Sequence, residues 1–478
     1  MSSRTDAYSA VVTTGIYCRP GCTATPNATN VRRYGVAAAA EAAGFRACLR
    51  CRPYRGRQRV NWESPDLVCR AVQLILGGTL ERRTEDAVAS RLGVSARHLR
   101  RLFNQHVGVT PAQLARSGRT HFARRLLDDT DLSVTDIALA AGFGSTRQFN
   151  RAVREIFRAT PGELRARRRK ADRLVADGGL LLRLPYHGPL DWPHTLAYLS
   201  SRAIPGVESV ADGVYRRTIV VDGDPGVIEL FEGEPERGVA AGSHLLLRAH
   251  LPHWEGLIHL VERARRIPAL DFPTTEANSA LSDDPLIGPM IVARPGVRPP
   301  GAWDPFEVGV RIILGQQVSV AAASTMSGRL VRALGTPVGG LTEFGLTHAF
   351  PTAETLASAD LSDLGLTRIC VASVQTFARA VAAGQIPLDN SLTLEDLASA
   401  VVALPGLGAW TAQVLAFRLG ERDAFPSSDL GLRRAYERLN PDGTPSLVKR
   451  SEAWRPWRAH AAAHLWAASQ SRTPLAHA

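Results

Sequence analysis

The stretch Leu404-Pro-Gly-Leu-Gly-Ala-Trp-Thr-Ala412 predicts a glycine-rich turn between two helices. About twenty residues after Gly406 and Gly408, the chain continues as Ala424-Phe-Pro-Ser-Ser-Asp429. Backbone N–H groups of such a turn, at the start of a helix, can hold a DNA phosphate without reading sequence. Asp429 has two interpretations, because Ser-Ser-Asp-Leu is also typical of a helix that begins with an aspartate cap. The pattern predicts a helical DNA-binding region with one carboxylate of special interest.

This pairing resembles the helix-hairpin-helix DNA glycosylases, whose single catalytic acid follows the hairpin at this spacing. The resemblance extends over about residues 178–472 to the AlkA type of alkyl-base glycosylase. It rests on residues 196–203, 206–210, 299–306 and 313–320. It implies that Asp429 opposes the charge of an oxocarbenium-like transition state and orients the attacking water. It also implies phosphate binding at Gly406 and Gly408, with a monovalent cation at the hairpin turn.

The same resemblance assigns residues to base extrusion, since a target base must leave the duplex to reach the carboxylate. Gln317 takes the position of the side chain that fills the gap. Trp410 and Trp466 correspond to aromatic residues of the base pocket, with core packing as the alternative for each. Bifunctional relatives carry a lysine where this chain has Trp410, and residues 171–448 contain no lysine. A monofunctional, hydrolytic enzyme is therefore predicted.

Four of the six cysteines form two close pairs, Cys18-x3-Cys22 and Cys48-x2-Cys51. In a long chain without a secretory signal, such pairs predict a metal site rather than disulfides. Four thiolates at these spacings suit one tetrahedral zinc ion. A zinc ion that only stabilises the fold is the alternative to a reactive centre.

The residues around these cysteines resemble the N-terminal domain of the Ada family of DNA methyl-phosphotriester repair proteins. The similar segments are residues 13–22 and 43–53. The resemblance implies that Cys18 is both a zinc ligand and the nucleophile that takes a methyl group from a backbone phosphotriester. Zinc keeps a thiolate deprotonated at neutral pH. Methylation would reduce the formal charge of the centre from −2 to −1, and so weaken its repulsion of DNA.

Residues 95–111 and 145–161 form an internal repeat at an offset of 50, each copy following an apolar helix and a glycine turn. The repeats resemble the double helix-turn-helix of AraC-type regulators. Two such units can place two recognition helices in successive major grooves. Phosphate contact is the alternative to base reading for each exposed side chain. The candidate DNA-binding residues are Arg97, Arg100, Arg101, Arg147, Gln148 and Arg151.

The basic charge is concentrated in the first third of the 478-residue chain. Residues 1–173 hold 31 Lys and Arg against 14 Asp and Glu, whereas the remainder is acidic. Such an excess is expected of a nucleic-acid-binding segment. No apolar run reaches the ~18 residues of a membrane helix, and no secretory signal is visible. A cytoplasmic protein without a membrane partner is therefore expected.

The sequence predicts a multidomain, mainly α protein. A small zinc-bound α/β domain covers residues 1–62 and an AraC-type double helix-turn-helix residues 63–172. An AlkA-like α+β antiparallel sheet domain covers residues 178–290 and an all-α helix-hairpin-helix glycosylase domain residues 291–478.

The predicted protein responds to alkylation damage. It accepts methyl groups from phosphotriesters, activates transcription and excises 3-methyladenine and 7-methylguanine. Expected partners are alkylated DNA, promoter DNA and RNA polymerase, and the protein is expected to be a monomer. The alternative is a purely regulatory DNA-binding protein with a structural zinc site and an inactive glycosylase fold. Direct O6-guanine repair is not predicted, because neither Cys69 nor Cys370 lies in the Pro-Cys-His-Arg acceptor motif.

Overall fold

A computed structural model describes residues 7–24, 26–56, 64–175, 178–233, 244–441 and 444–470. The chain divides into two compact units. The N-terminal unit comprises Met1–Tyr186 and Pro235–Glu262, and the C-terminal unit comprises His187–Glu234 and Arg263–Ala478. No helix of the described residues is long and apolar enough to cross a membrane.

The regular elements of the described residues are as follows. The strands are β1 (Tyr8–Val11), β2 (Ile16–Cys18), β3 (Val31–Tyr34), β4 (Arg46–Ala47), β5 (Leu180–Pro185), β6 (Glu208–Ala211), β7 (Val214–Val221), β8 (Asp224–Glu232), β9 (His244–His250), β10 (Thr336–Pro337) and β11 (His348–Ala349). The first helices are α1 (Ala37–Ala42), α2 (Asp66–Leu76), α3 (Thr79–Arg82), α4 (Glu85–Arg91), α5 (Ala96–His106), α6 (Pro111–Asp129), α7 (Val134–Ala140), α8 (Thr146–Phe157), α9 (Pro161–Ala166), α10 (Trp192–Arg202) and α11 (Leu257–Arg266). The remaining helices are α12 (Thr274–Leu281), α13 (Ile287–Ala293), α14 (Pro305–Leu314), α15 (Val320–Leu334), α16 (Ala353–Ser358), α17 (Arg368–Ala382), α18 (Leu394–Val402), α19 (Ala409–Leu419), α20 (Leu430–Leu439), α21 (Leu447–Ser451) and α22 (Arg458–Gln470).

A four-stranded sheet in the order β3-β1-β2-β4 opens the N-terminal unit. Strand β1 pairs antiparallel with β2 and β3, whereas β2 and β4 run parallel. The parallel pair places the carboxyl ends of β2 and β4 side by side, and the Cys48 amide donates to the Tyr17 carbonyl oxygen at 3.0 Å. Both cysteine pairs are thereby brought to one end of the sheet.

The internal repeat folds as two helix-turn-helix units, α4–α5 and α7–α8. Ser95 and Ser145 cap the second helix of each unit, because each hydroxyl accepts a backbone N–H three residues later. Thr110 and Thr160 start the next helices with reciprocal capping boxes. The repeat thus encodes its own helix boundaries, and the 19-residue helix α6 joins the two units.

The four-stranded sheet and its cysteines (residues 7–24 and 26–56) are called the cysteine module below. A buried polar triad attaches this module to α6. The Tyr17 hydroxyl donates to a Glu41 carboxylate oxygen at 2.6 Å, and His121 Nε2 lies 2.6 Å from the same oxygen. Tyr17 immediately precedes Cys18 on β2, Glu41 is on α1 and His121 is on α6. The triad therefore connects three elements within the N-terminal unit.

A second buried contact lies two turns further along α6. The Tyr54 hydroxyl donates to Asp128 at 3.0 Å, and Arg55 donates to Asp129 at 2.9 Å. Asp128 is fully buried and Asp129 nearly so. Because His121 and Asp128 are seven residues apart, they lie on one face of the helix. The segment after the last cysteine and the segment before the first are thus fixed to the same helix face.

The C-terminal unit contains an antiparallel meander of β6, β7 and β8. Arg217 on β7 donates to the Glu307 carboxylate of α14 at 2.6 Å, and both side chains are buried. The Tyr215 hydroxyl donates to Glu208 at 2.6 Å in the same cluster. This cluster attaches the meander to the helical part of the unit. In the N-terminal unit, β5 and β9 also pair antiparallel, so the predicted antiparallel sheet is confirmed.

From α14 onward the C-terminal unit is almost entirely helical. A tight turn joins α18 to α19, and α20 begins directly after Asp429. Helices α20 and α22 pack together, as do α14 and α19. The predicted fold class, a multidomain and mainly α protein with a small cysteine module and an antiparallel sheet, is confirmed.

Candidate functional site

The four cysteines predicted to bind zinc come together. The sulfur atoms of Cys18, Cys22, Cys48 and Cys51 all lie within 4.8 Å of one another. Four sulfur donors at this separation fit one tetrahedral Zn²⁺ ion, and the donor set is the one that structural and reactive zinc–thiolate sites share. Cys18 is 7% exposed, whereas the other three are partly exposed.

The thiols of this cluster influence one another strongly. A hydrogen bond from Cys18, which outweighs the effect of burial, lowers the pKa of Cys51 to about 5. The same hydrogen bond, followed by burial, raises the pKa of Cys18. Cys18 and Cys51 are therefore linked in their protonation, and thiols that bind a metal must release their protons.

The two recognition helices expose the predicted DNA-binding side chains. Leu99 and Phe103 of α5, and Phe149 and Val153 of α8, are buried. The opposite faces carry the exposed residues Arg97, Arg100, Arg101, Arg147, Gln148 and Arg151.

Ion pairs distinguish four of these exposed arginines. Arg100 pairs with Glu85 at 2.5 Å and Arg151 with Glu155 at 2.9 Å. Arg97 and Arg147 make no ion pair with any residue that the structure describes. These two arginines carry cationic charge that no described residue neutralises through an ion pair.

Asp429 is held by three donors. Its Oδ1 accepts the Leu432 backbone N–H at 3.0 Å and the Trp466 indole N–H at 2.9 Å, and its Oδ2 accepts the Trp410 indole N–H at 3.0 Å. Asp429 caps α20 and also contacts both tryptophans assigned to the pocket, while its catalytic role stays a prediction. Both tryptophans are partly exposed, so neither is simply a core residue. Sequence reasoning assigned the three residues separately and missed the contacts between them.

The hairpin turn depends on glycine. Gly406 has φ +82°, and a Cβ atom there would lie 2.1 Å from the Ser373 hydroxyl oxygen. Gly408 begins α19 without a side-chain cap, and a Cβ there would meet nothing within 4 Å. The first N–H groups of α19 consequently have no side-chain partner at Gly408, which suits binding to a phosphate oxygen.

The turn between α14 and α15 carries the predicted gap-filling residue. Gln317 is exposed and has φ +58°, a left-handed conformation that few side chains other than Asn and Asp adopt. Its neighbour Gln316 reaches the hairpin, where its Nε2 donates to Thr411 Oγ1 at 2.8 Å. Sequence reasoning did not single out Gln316, because a glutamine beside a turn carries no pattern of its own.

Comparison with known proteins identifies four domains in this chain. The matching family descriptions and residues are the metal binding domain of Ada (2–54), a helix-turn-helix domain (88–167), the AlkA N-terminal domain (181–304) and the HhH-GPD superfamily base excision DNA repair protein (310–458).

Curated relatives match the whole or a large part of this chain. The probable bifunctional transcriptional activator/DNA repair enzyme AlkA of Mycobacterium tuberculosis is 40% identical over 463 residues, 96% of this chain and 92% of that protein. DNA-3-methyladenine glycosylase 2 of Escherichia coli is 32% identical over 288 residues, 59% of this chain and 95% of the relative. Among solved structures, the 3-methyladenine DNA-glycosylase from Archaeoglobus fulgidus shares the fold with a TM-score of 0.51 at 21% identity. That match covers 60% of this chain and 97% of the Archaeoglobus chain.

The fold, the four-cysteine cluster and the residues around Asp429 define a class of DNA-binding protein. In this class a cysteine metal domain and a helix-turn-helix domain are joined to a helix-hairpin-helix DNA glycosylase. The chain belongs to the family of AlkA- and Ada-like bifunctional transcriptional activators and DNA repair enzymes.

Proposed function

We propose that the C-terminal unit excises alkylated bases, among them 3-methyladenine and 7-methylguanine, as a monofunctional glycosylase. The observation that carries this proposal is the fixed orientation of Asp429 between Trp410 and Trp466. Two indole N–H groups and the Leu432 backbone N–H together fix the orientation of this carboxylate. Preorganised charge of this kind is a major source of transition-state stabilisation.

The reaction follows from the chemistry of the substrate. An alkylated base is already cationic, so the bond from its ring nitrogen to C1′ breaks with both electrons going to the base. The negative charge of Asp429 stabilises the positive charge that develops on the sugar. Water then attacks C1′, and its proton passes to the carboxylate. The electron-rich faces of Trp410 and Trp466 suit an electron-poor base.

We further propose that Cys18 accepts methyl groups from DNA phosphotriesters. Its sulfur attacks the methyl carbon, the carbon–oxygen bond breaks and the phosphodiester leaves as an anion. When bound, zinc supplies a thiolate that remains deprotonated at neutral pH. Loss of one negative charge at Cys18 then raises the affinity of the N-terminal unit for promoter DNA.

The same proposal covers regulation. The N-terminal unit binds promoter DNA through α5 and α8 and activates transcription together with RNA polymerase, as a monomer in the cytoplasm. Arg97 and Arg147 support this role, because they are exposed and form no ion pair among the described residues. The proposed domains are the zinc domain (1–62), the double helix-turn-helix (63–172), the AlkA-like sheet domain (178–290) and the glycosylase domain (291–478). In the glycosylase domain, Gly406 and Gly408 bind a DNA phosphate, and a monovalent cation binds at the same turn.

One experiment separates the two activities. The protein is incubated with methylated duplex DNA, and released bases and the mass of each cysteine peptide are measured. We expect Asp429→Asn to lose base release by roughly 10²–10³-fold while its Cys18 peptide still gains one methyl group. Asparagine caps a helix nearly as well as aspartate, so normal base release by this variant would contradict the catalytic assignment. A methyl group on another cysteine would contradict the nucleophile assignment.

A further inference from the structure

Two turns of the C-terminal unit are linked by one side chain. Gln316 Nε2 donates to Thr411 Oγ1 at 2.8 Å and lies 3.4 Å from the Gly406 carbonyl oxygen. Gln316 belongs to the turn between α14 and α15, whereas Gly406 and Thr411 belong to the hairpin and to the first turn of α19. The contact is therefore made between the turn that carries Gln317 and the turn that starts α19.

The turn that carries Gln317 is strained. A left-handed conformation at a residue other than glycine is unfavourable and persists only where the surrounding structure fixes it. The side chains that follow Gln316 point outward, since Gln317 and Val318 are exposed. Within the described residues, Gln316 is the side chain of this turn that reaches another helix through a hydrogen bond.

Thr411 is a rigid partner for this contact. It is 3% exposed, and it lies one residue after Trp410, whose indole N–H is bonded to Asp429. A change in the Gln317 turn that is transmitted through Gln316 therefore reaches the same helical turn that orients the carboxylate.

We propose that Gln316 is a positioning residue for base extrusion. In this role it fixes the distance between two turns. One carries Gln317 and inserts into the DNA duplex, and the other carries Gly406 and binds the DNA backbone. Pushing a side chain into the base stack produces an opposing force on the turn, and the bond to Thr411 resists that force. This inference rests on the proposed excision of alkylated bases, and it concerns the step that precedes bond cleavage.

The test compares paired and unpaired lesions under single-turnover conditions. One substrate carries 7-methylguanine opposite cytosine, and the other carries it in a bulge without an opposing base. We expect Gln316→Ala and Thr411→Val each to slow release from the paired duplex about 3- to 10-fold, the range that one lost hydrogen bond supplies. Release from the bulge should change less than about 2-fold, because an unpaired base is extruded easily.

A double variant and a matched control complete the design. Gln316→Ala/Thr411→Val should be no slower than the slower single variant, because both changes break the same Gln316–Thr411 hydrogen bond. Thr325→Val is the control, since Thr325 is exposed and its hydroxyl bonds only within its own helix. Equal losses on both substrates, additive losses or normal rates on the paired duplex would each overturn the positioning role.

A second readout does not depend on excision. A 2-aminopurine placed opposite a tetrahydrofuran abasic-site analogue reports insertion of the turn through its fluorescence. We expect the fluorescence change of both single variants to require several-fold more protein than that of the wild type. If the wild-type protein inserts but releases no base, the proposed excision fails while this inference stands. If Gln316→Ala inserts as the wild type does, the inference fails while excision stands.

Discussion

Trp466 and Asp429 are joined by a hydrogen bond of 2.9 Å between the indole nitrogen and the carboxylate oxygen that also caps α20. The bond gives this tryptophan a role beyond its ring. Trp466→Phe keeps an aromatic face but removes the donor, so we expect excision to slow about 10-fold with little change in thermal stability. Single-turnover base release measures the effect.

Trp457→Phe is the matched control for this variant. The Trp457 ring packs against Phe272 at 6.1 Å between centroids, and its indole nitrogen makes no hydrogen bond to any residue that the structure describes. An equal loss of activity in both variants would assign the effect to ring packing.

The cysteine cluster predicts the number of zinc ions that each chain binds. Elemental analysis should find one zinc ion per chain in the wild-type protein and none in Cys51→Ser, because three thiolates leave the tetrahedral site incomplete. Cys370→Ser should retain zinc, since Cys370 lies outside the cysteine cluster. Loss of zinc from Cys370→Ser would show that the ligand set is wrong.

The buried carboxylate Asp128 should stabilise the N-terminal unit strongly. It pairs with Arg124, accepts the Tyr54 hydroxyl and is fully buried. Asp128→Ala leaves the buried Arg124 without its carboxylate, so we expect a loss of about 3–5 kcal/mol in the free energy of unfolding. Chemical denaturation of the whole chain measures this loss.

Glu155 provides the contrast, because its pair with Arg151 is largely exposed to solvent. Glu155→Ala should change stability by less than about 1 kcal/mol. Similar losses of stability in both variants would show that Asp128 and Arg124 do not form a buried ion pair in solution.

A pair of buried histidines on α22 predicts sensitivity to acid. Burial, followed by the charges of His194 and Arg294, lowers the pKa of His464 to about 3. Burial also lowers the pKa of His460, whose Nε2 lies 2.7 Å from Asn278 Oδ1. An unfolded histidine titrates near 6.5, so below this pH the unfolded chain binds protons that the folded chain excludes. The stabilisation that comes from keeping these histidines neutral is therefore fully present above about pH 6.5. It is lost progressively as the pH falls toward 3.

The expected slope reaches about 1.4 kcal/mol per pH unit for each histidine. Urea unfolding at pH 7 and pH 5 measures it, with His464→Phe as the variant that removes one titrating group. We expect the pH dependence of His464→Phe to be smaller than that of the wild type by roughly 1–2 kcal/mol over this interval. Identical pH dependence in both proteins would rule out His464 as the source.

The sequence predicted those parts of the structure that repeat or follow local rules. The helix-turn-helix boundaries follow from Ser95, Ser145 and the two Thr-Pro steps, because caps act within three residues. The four cysteines were found because metal ligands come in close pairs. The bonds from Trp410 and Trp466 to Asp429, and the contact of Gln316 with Thr411, join residues that are 19 to 95 positions apart. Such contacts depend on tertiary packing, which no spacing in the sequence encodes.

The cysteine module cannot be moved into another protein without regard to helix α6. The module is bound to His121 through Glu41 and to Asp128 and Asp129 through Tyr54 and Arg55. A fragment that ended after the last cysteine would lack Tyr54, Arg55 and the His121 partner of Glu41. The α6 helix left behind would lose the Arg55 charge beside Asp129. A fragment meant to keep the cysteine cluster folded must therefore include α6.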